Sequence, residues 1–284
     1  MSKFFGSKSN PKGPYFKNAR ELSFDFSGNK LSFFTPKHTV KSYQGKSGKF
    51  KFNLFNEKEY TISKPPRAIN ERKELSIGYK EDWAFYGLPL LDGYLGRLGF
   101  SISVIPATTD QTLFDKSIFE NIILKRIDDL YGPFSQEEVW RNMERFRTPL
   151  NWGSKSICGI EWLHYDMNEL NRGKEIKRIY TTPITSNHYL RLNFSLHEHM
   201  KEHYCHEAFN NLIENILNSV TLTLSPSSQK EANEEADNKN QTYSKNIQPF
   251  EWAEFDNLKA PETPYEEYNR SKKEKLDSLG NIEA

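Results

Sequence analysis

Residues 189–224, YLRLNFSLHEHMKEHYCHEAFNNLIENILNSVTLTL, predict a strand, an amphipathic helix and a second strand in direct succession. Every second residue from 190 to 196 is apolar, as in a strand that buries one face. Between 209 and 220 the apolar residues recur at the helical period, which predicts a helix with one face against a core. Residues 220–224 alternate again and contain β-branched side chains, so a last strand should follow directly. The apolar residues of the helix are Phe209, Leu212, Ile213, Ile216, Leu217 and Val220.

Short strands and two further helices precede this stretch. Two capping boxes, Ser117 with Glu120 and Ser135 with Glu138, predict helix starts, and Gly132-Pro133 and Pro149 predict their ends. Strands on both sides of these helices predict an α+β fold, a mainly antiparallel sheet with packed helices arranged as an α/β/α sandwich. The strands are predicted near residues 22–26, 31–34, 50–54, 60–62, 75–79, 100–104, 157–162, 176–181 and 189–196.

Charge is distributed unevenly, although the chain carries a net charge of only +1. Residues 1–20 contain five Lys or Arg and no acid (+5), whereas residues 226–284 contain eight Lys or Arg and thirteen Asp or Glu (−5). Both ends are poor in core-forming residues, which is typical of disordered segments. We therefore expect a disordered basic arm (1–20), an α+β domain (21–225) and a mostly disordered acidic tail (226–284) with short docking segments.

The composition limits the classes of protein to consider. Cys158 and Cys205 are the only cysteines, so no disulfide framework is expected. The first residues lack the apolar region of a signal peptide, and no stretch is as apolar as a membrane span. We expect a cytoplasmic protein, with export by a non-classical route left open. Its partner should be another protein rather than nucleic acid or a membrane, and no cofactor is expected.

Four of the seven histidines lie between His197 and His206. The order His199-x-x-Glu202-His203 resembles that of inverted zinc metallopeptidases, in which two helical histidines bind zinc and the glutamate activates water. On one helix, His199, His203 and His206 would share a face and could bind a metal. The chain offers only Glu214 as a further carboxylate ligand in the folded body, so a polar start of a core helix is the competing interpretation.

Two aromatic segments are candidates for contact with a partner. The segment WAFYGLPLL, residues 83–91, is dense in the residue types that anchor interfaces, although core packing explains such a segment equally simply. Within it we assign Trp83, Phe85 and Tyr86 to partner binding. In the acidic tail, Phe250, Trp252 and Phe255 have no local core, so they should either dock on the body or bind a partner.

Two other motifs are weaker indications of a functional site. The glycines of Gly93 to Gly99 lack the order of a phosphate-binding loop and precede a predicted strand, which favours a turn or bulge. His164 and Asp166 should share one face of a strand, but no nucleophile motif accompanies them. Neither motif predicts a catalytic site.

The pattern of apolar residues resembles that of PsbP-like domains. The resemblance rests on the ending, 190–196 followed by 209–220 and 221–224, and on the opening pair at 22–26 and 31–35 with its Phe34-Thr35-Pro36. It implies an α/β/α sandwich over about residues 20–225. Members of this family, which include bacterial chaperones for secreted toxins, mostly bind other proteins. The resemblance transfers no site residues.

These observations predict a non-enzymatic protein-binding protein, such as an adaptor, a chaperone or a toxin-neutralising immunity protein. The alternative is a metal-dependent hydrolase that uses His199, Glu202 and His203. Stoichiometric zinc in untagged protein, lost together with activity in His203→Ala, would favour the alternative.

Overall fold

The computed structural model describes residues 6–37, 39–40, 49–63, 72–131, 146–170, 175–199, 204–236, 243 and 247–250. These residues form two β-sheets with three α-helices packed against them, which confirms the predicted α+β fold with mainly antiparallel sheets. The strands are β1 (Arg20–Phe26), β2 (Asn29–Thr35), β3 (Lys49–Phe52), β4 (Thr61–Ser63), β5 (Arg72–Tyr86), β6 (Tyr94–Pro106), β7 (Phe146–Ile157), β8 (Ile160–Glu169), β9 (Ile176–Thr185), β10 (His188–Glu198) and β11 (Thr221–Thr223). The helices are α1 (Lys116–Tyr131), α2 (His206–Asn218) and α3 (Pro226–Ala236).

The large sheet has seven strands in the order β4-β5-β6-β10-β9-β8-β7, and all neighbours are antiparallel. Its centre is β10, in which the residues at 190, 192, 194 and 196 are buried on one face, as the alternation predicts. The residues at 191, 193, 195 and 197 lie on the opposite face and are partly exposed. The two faces of this strand therefore have different neighbours and different chemistry.

The small sheet has the order β11-β2-β1-β3, with β1 and β3 parallel and the other pairs antiparallel. Its apolar face packs on the large sheet together with α2, in a core rich in stacked aromatic rings. A second apolar cluster lies on the other side of the large sheet, beneath α1. The sequence predicts one main sheet; β1 and β2 instead belong to a second sheet, in which β3 and β11 are the edge strands.

Both predicted disordered ends contact the body where the structure describes them. Lys12 pairs with Tyr86 of β5 through two backbone hydrogen bonds of 2.8 and 3.0 Å. After residue 225 the chain continues as α3, because Ser225 accepts a hydrogen bond from the Ser228 amide and Pro226 occupies the first helical turn. Ordered chain therefore extends beyond the predicted boundaries at 20 and 225, to residue 6 on one side and through α3 on the other.

Two local predictions concern the helices. The strand predicted after the core helix is confirmed, since β11 starts three residues after α2 ends. The helix predicted after Ser135 lies outside the described residues, but Pro149, which was predicted to end it, belongs to β7. There Phe146 packs in the cluster under α1, which shows that its apolar character serves a strand.

Candidate functional site

The most exposed apolar surface among the described residues is the end of the β5–β6 hairpin, residues 86–94, which we call the hairpin tip. Leu90 is fully exposed and Leu91 is 81% exposed. Tyr86 and Tyr94 lie at the base of the turn with their ring centroids 5.7 Å apart. Apolar side chains of this size, gathered on one protruding turn, are typical of a contact surface.

The hairpin tip has a defined conformation. The Gly87 amide donates to the Gly93 carbonyl at 3.0 Å, and the Asp92 amide donates to the Leu88 carbonyl at 2.9 Å. The Asp92 carboxylate accepts a hydrogen bond from the Leu88 amide at 3.0 Å. Leu90 has φ +68, in the left-handed region that a bulky residue rarely adopts. These bonds hold the leucines outward in one arrangement, so little ordering is required when they bind.

The N-terminal segment supports the base of the hairpin tip. Its backbone pairs with Tyr86, and Lys8 lies 3.7 Å from the Asp92 carboxylate. Gly13 lies so close to the Phe85 ring that an added Cβ would be 2.3 Å from Phe85 Cε1. Only glycine permits this approach, so the segment predicted to be a disordered arm helps to fix the hairpin tip.

Two of the residues predicted to bind a partner are core residues. Trp83 is 0% exposed and donates its indole N–H to the Pro36 carbonyl at 3.1 Å. Phe85 is 2% exposed and packs edge-on against Phe209 of α2, with the ring centroids 4.8 Å apart. Burial leaves neither side chain available at the surface, so their assignment to partner binding is wrong. Tyr86 lies in the hairpin tip, and its role stays a prediction.

The sequence-based assignment missed the leucines of this segment. Leu88, Leu90 and Leu91 follow the alternating part of β5 and are interrupted by Pro89. A proline and a glycine on either side of an apolar run indicate that the run is a turn rather than a buried strand. That signal would have assigned the exposed surface to the leucines instead of the tryptophan.

The tail aromatic that the structure describes docks on the body. Phe250 packs against the cluster beneath α1, and its amide donates to the Thr148 carbonyl of β7 at 2.8 Å. Tyr243 packs on the same cluster, with the Lys116 ammonium 5.7 Å from its ring centroid. Of the two alternatives for this aromatic group, docking on the body therefore holds for Phe250. Trp252 and Phe255 lie outside the described residues.

The histidine run does not form one helix. His199 follows the end of β10 and packs on Tyr94 with ring centroids 4.6 Å apart, whereas α2 begins only at His206. The prediction that His199 and His206 share a helical face is therefore wrong, and Glu202 and His203 lie outside the described residues. In the part of the chain that the structure describes, no three His, Cys, Asp or Glu side chains are placed to hold a metal ion.

The nearby groups in this region have other partners. Glu214, the only further carboxylate considered for a metal site, contacts the Lys155 ammonium at 2.6 Å. Burial, together with the adjacent Glu198 carboxylate, raises the pKa of the Cys205 thiol to about 12. A thiol with so high a pKa stays protonated at neutral pH and is a poor nucleophile or ligand.

A second surface is a charged groove on the face of the large sheet opposite α2, next to the hairpin tip. It encloses about 290 Å³ and is formed by residues of β5, β6 and β10 and by the start of β9. Arg97 Nε lies 3.5 Å from Asp82 Oδ1, and His197 Nε2 lies 3.3 Å from Glu175 Oε1. The ionisable residues that line it are Lys80, Asp82, Arg97, Glu175, Lys177 and His197.

Glu175 is the most strongly perturbed acid of this groove. Burial would raise the pKa of its carboxyl group, but hydrogen bonds from His197 and Ser195 and the positive charge of Lys177 outweigh burial and lower the pKa to about 2. The carboxylate is therefore ionised at neutral pH and is held by these hydrogen bonds and by the charge of Lys177. Its charge contributes to the stability of the folded protein.

Replacing Glu175 by glutamine is expected to lower the free energy of unfolding at pH 7 by about 2–3 kcal/mol. A lowered pKa stabilises the fold above the ordinary value of 4.5, and this contribution disappears as the pH falls towards 2. The difference between wild type and variant should therefore shrink between pH 4.5 and pH 2 in denaturant titrations. A difference that is independent of pH would contradict this role. Glu214→Gln, which removes a more exposed ion pair, is the control and should cost less than about 1 kcal/mol.

Comparison with known proteins gives little further information. No protein-family model matches the chain, and no curated protein matches it. Among solved structures, the solution structure of cyanobacterial PsbP (CyanoP) from Synechocystis sp. has a TM-score of 0.31 and 10% sequence identity. That match covers 78% of this chain and 98% of CyanoP. The chain thus has a weak structural resemblance to a protein of the predicted family, and no function follows from it.

The helices of the described residues are α1, α2 and α3. None of them combines sufficient length with sufficient apolar character to cross a bilayer.

Proposed function

We propose that this protein is a non-enzymatic protein-binding protein that contacts its partner through the hairpin tip. The observation that carries the proposal is a fixed turn that presents Leu90 and Leu91 to solvent between two tyrosines. A leucine buried in a complementary pocket contributes about 1.5–3 kcal/mol of binding free energy. Two such leucines match the contribution of the few residues that dominate the affinity of an interface.

The partner is a protein that offers an apolar cleft for the hairpin tip. Tyrosines combine a large contact area with a hydroxyl group, so Tyr86 and Tyr94 suit the rim of such a contact. An adaptor, a chaperone and a toxin-neutralising immunity protein all act by binding of this kind, and a cytoplasmic location fits all three. The metal-dependent hydrolase receives no support from the position of His199, which precedes the helix rather than lying on it.

Replacing both Leu90 and Leu91 by aspartate is expected to weaken binding of the partner at least about 100-fold, because two anchors are lost and two charges must be desolvated. The partner is first identified by affinity capture from the native cell followed by mass spectrometry. Its affinity for the purified wild type and variant is then measured by isothermal titration calorimetry. Both leucines are exposed, so the melting temperature should stay within a few degrees of the wild type.

The control is Phe55→Asp, an equally drastic change at an exposed apolar residue. Phe55 packs against His188, which pairs with Pro106 at the end of β6 opposite the hairpin tip. This variant should bind the partner as the wild type does. If Leu90→Asp/Leu91→Asp retained full affinity, or Phe55→Asp lost as much, the hairpin tip would not be the contact surface.

A further inference from the structure

We infer that the N-terminal segment, residues 6–13, is a reversible clamp that controls the affinity of the hairpin tip for its partner. While the segment is docked on β5, the hairpin tip keeps the arrangement that presents its leucines; when the segment detaches, that arrangement is lost. The inference rests on the proposed function, because it concerns the regulation of the same surface.

The segment docks on the outer edge of β5 at the point where the hairpin tip begins. Lys12 and Tyr86 exchange two backbone hydrogen bonds, and they form an isolated bridge rather than part of a longer strand. Tyr86 is both the last residue of β5 and the first residue of the hairpin tip. Bonds to its backbone therefore fix the direction in which the chain leaves the sheet.

A second contact reaches the side chain that closes the turn. Lys8 Nζ lies 3.7 Å from Asp92 Oδ1, and the other oxygen of the same carboxylate accepts the Leu88 amide. The Asp92 side chain is 11% exposed and the Lys8 side chain 43%, so solvent weakens the attraction without removing it. Docking of Lys8 thus favours the position of Asp92 in which the turn is closed.

Two glycines permit this docking through close approach. A Cβ atom at Gly6 would lie 2.2 Å from the Tyr86 carbonyl oxygen and 2.6 Å from the Lys12 nitrogen, the two atoms that share one of the backbone hydrogen bonds. Gly13 lies equally close to the Phe85 ring. Neither glycine has a positive φ, so a methyl group at either position suits the backbone conformation but not the docked state.

The contacts that hold the segment are weak enough for it to detach. No residue from 6 to 13 belongs to either apolar cluster of the described chain. The hydrogen bonds and the surface ion pair each stabilise docking only modestly, whereas every residue that docks loses backbone freedom. Because these contributions oppose one another, the docked and detached states exchange without unfolding of the core.

The hairpin tip depends on such outside contacts. Leu90 has φ +68, which is unfavourable for a leucine and persists only where the surroundings impose it. Detachment of the segment frees Tyr86 at one end of the turn and Asp92 at the other. The detached form then presents the leucines in several arrangements, and the apparent affinity falls with the fraction of molecules that keep the competent one.

Hydrogen–deuterium exchange of the full chain, followed by mass spectrometry, tests the clamp without a partner. The amides of residues 87 and 91–93 donate hydrogen bonds within the hairpin tip and report on its order. Gly6→Ala and Gly13→Ala should each raise the exchange rates of these amides at least about fivefold. The rates in β10 should stay at the wild-type values, which separates release of the clamp from general loss of stability.

Two further variants complete this measurement. Lys8→Met removes the ion pair without a steric clash and should raise the same rates at least about twofold, so the inference stays testable if a glycine variant fails to fold. Ser9→Ala is the matched control, because Ser9 is exposed and takes part in none of the contacts with the hairpin described above. Its rates should equal those of the wild type.

The affinity for the partner, measured by isothermal titration calorimetry, connects the clamp to function. Gly6→Ala should weaken binding at least about fivefold. If Leu90→Asp/Leu91→Asp loses affinity and Gly6→Ala does not, the clamp fails alone; if both bind as the wild type does, the proposed function fails. The inference is also overturned if the folded glycine variants keep wild-type exchange rates in the hairpin tip, or if the rates rise equally in β10.

Discussion

Replacing Trp83 by alanine should lower the free energy of unfolding by about 3–5 kcal/mol, as removal of a large buried aromatic side chain does. The indole is fully buried in the main core and stacks on Phe100 with ring centroids 6.4 Å apart. Its N–H also donates to the Pro36 carbonyl, which ties β5 to the chain that follows β2. Denaturant unfolding of the purified variant, followed by circular dichroism, measures the change.

Two further variants separate the parts of this effect. Trp83→Phe keeps an aromatic ring but loses the hydrogen bond and some volume, so it should cost less than the alanine variant, about 1–3 kcal/mol. Leu90→Ala, on the same hairpin but fully exposed, should change stability by no more than about 0.5 kcal/mol. A loss below 1 kcal/mol in Trp83→Ala, or an equal loss in Leu90→Ala, would contradict the assignment of Trp83 to the core.

Replacing Arg20 by methionine should lower the free energy of unfolding by about 3–5 kcal/mol, because it removes a guanidinium charge that lies against a buried carboxylate. Arg20, at the start of β1, forms an ion pair with Glu81 of β5, whose side chain is fully buried. Tyr79 donates its hydroxyl hydrogen to the same carboxylate at 3.1 Å. The pair joins the small sheet to the large one, and methionine keeps most of the volume of the arginine stem.

The double variant Arg20→Met/Glu81→Gln distinguishes loss of charge from loss of packing. Glutamine can still accept the hydrogen bond from Tyr79 but is neutral, so the double variant should recover at least half of the stability lost in Arg20→Met. Unfolding free energies of both single variants and the double variant complete the cycle. If the double variant were as unstable as the sum of the singles, the two side chains would not interact energetically.

Much of the fold can be predicted from periodicity in the sequence, because a helix or strand that buries one face carries apolar residues at its own structural period. The alternation from 190 to 196 and the helical repeat from 209 to 220 both identify elements that the structure contains. The capping residue predicted for α1 is displaced: Asp115 Oδ1, two residues before Ser117, accepts hydrogen bonds from the amides of Ser117 and Ile118. Local patterns thus predict elements well and their ends less well.

The pairing of distant segments could not be predicted, since no local pattern specifies it. β11 belongs to the small sheet because Leu222 lies opposite Leu31, and nothing in either segment identifies the other. The same holds for the contact of Lys12 with Tyr86, which converts a polar arm into part of the hairpin base. The composition of a segment indicates whether the segment can form a core by itself. The segment around Lys12 and β11 instead pack on a core that other residues form, which composition does not indicate.

The surfaces were harder to predict than the core. Trp83 and Tyr86 belong to one aromatic segment, yet one is buried and the other exposed, because exposure depends on where the hairpin leaves the sheet. The groove combines residues from four strands that are as much as 117 positions apart, from Lys80 to His197. Most of them are ordinary polar residues of alternating strands, and only the register of the sheet brings them together.

The pairing of β11 with β2 also constrains the order of events during synthesis. When β1 and β2 leave the ribosome, the outer edge of β2 has no partner until residue 221 has been made, 186 residues after β2 ends at Thr35. For that period the nascent chain carries an open strand edge of the kind that pairs with other chains. A ribosome-bound chaperone that shields β2 until β11 emerges would therefore raise the yield of folded protein, and a chain that stops before Thr221 would keep the edge open.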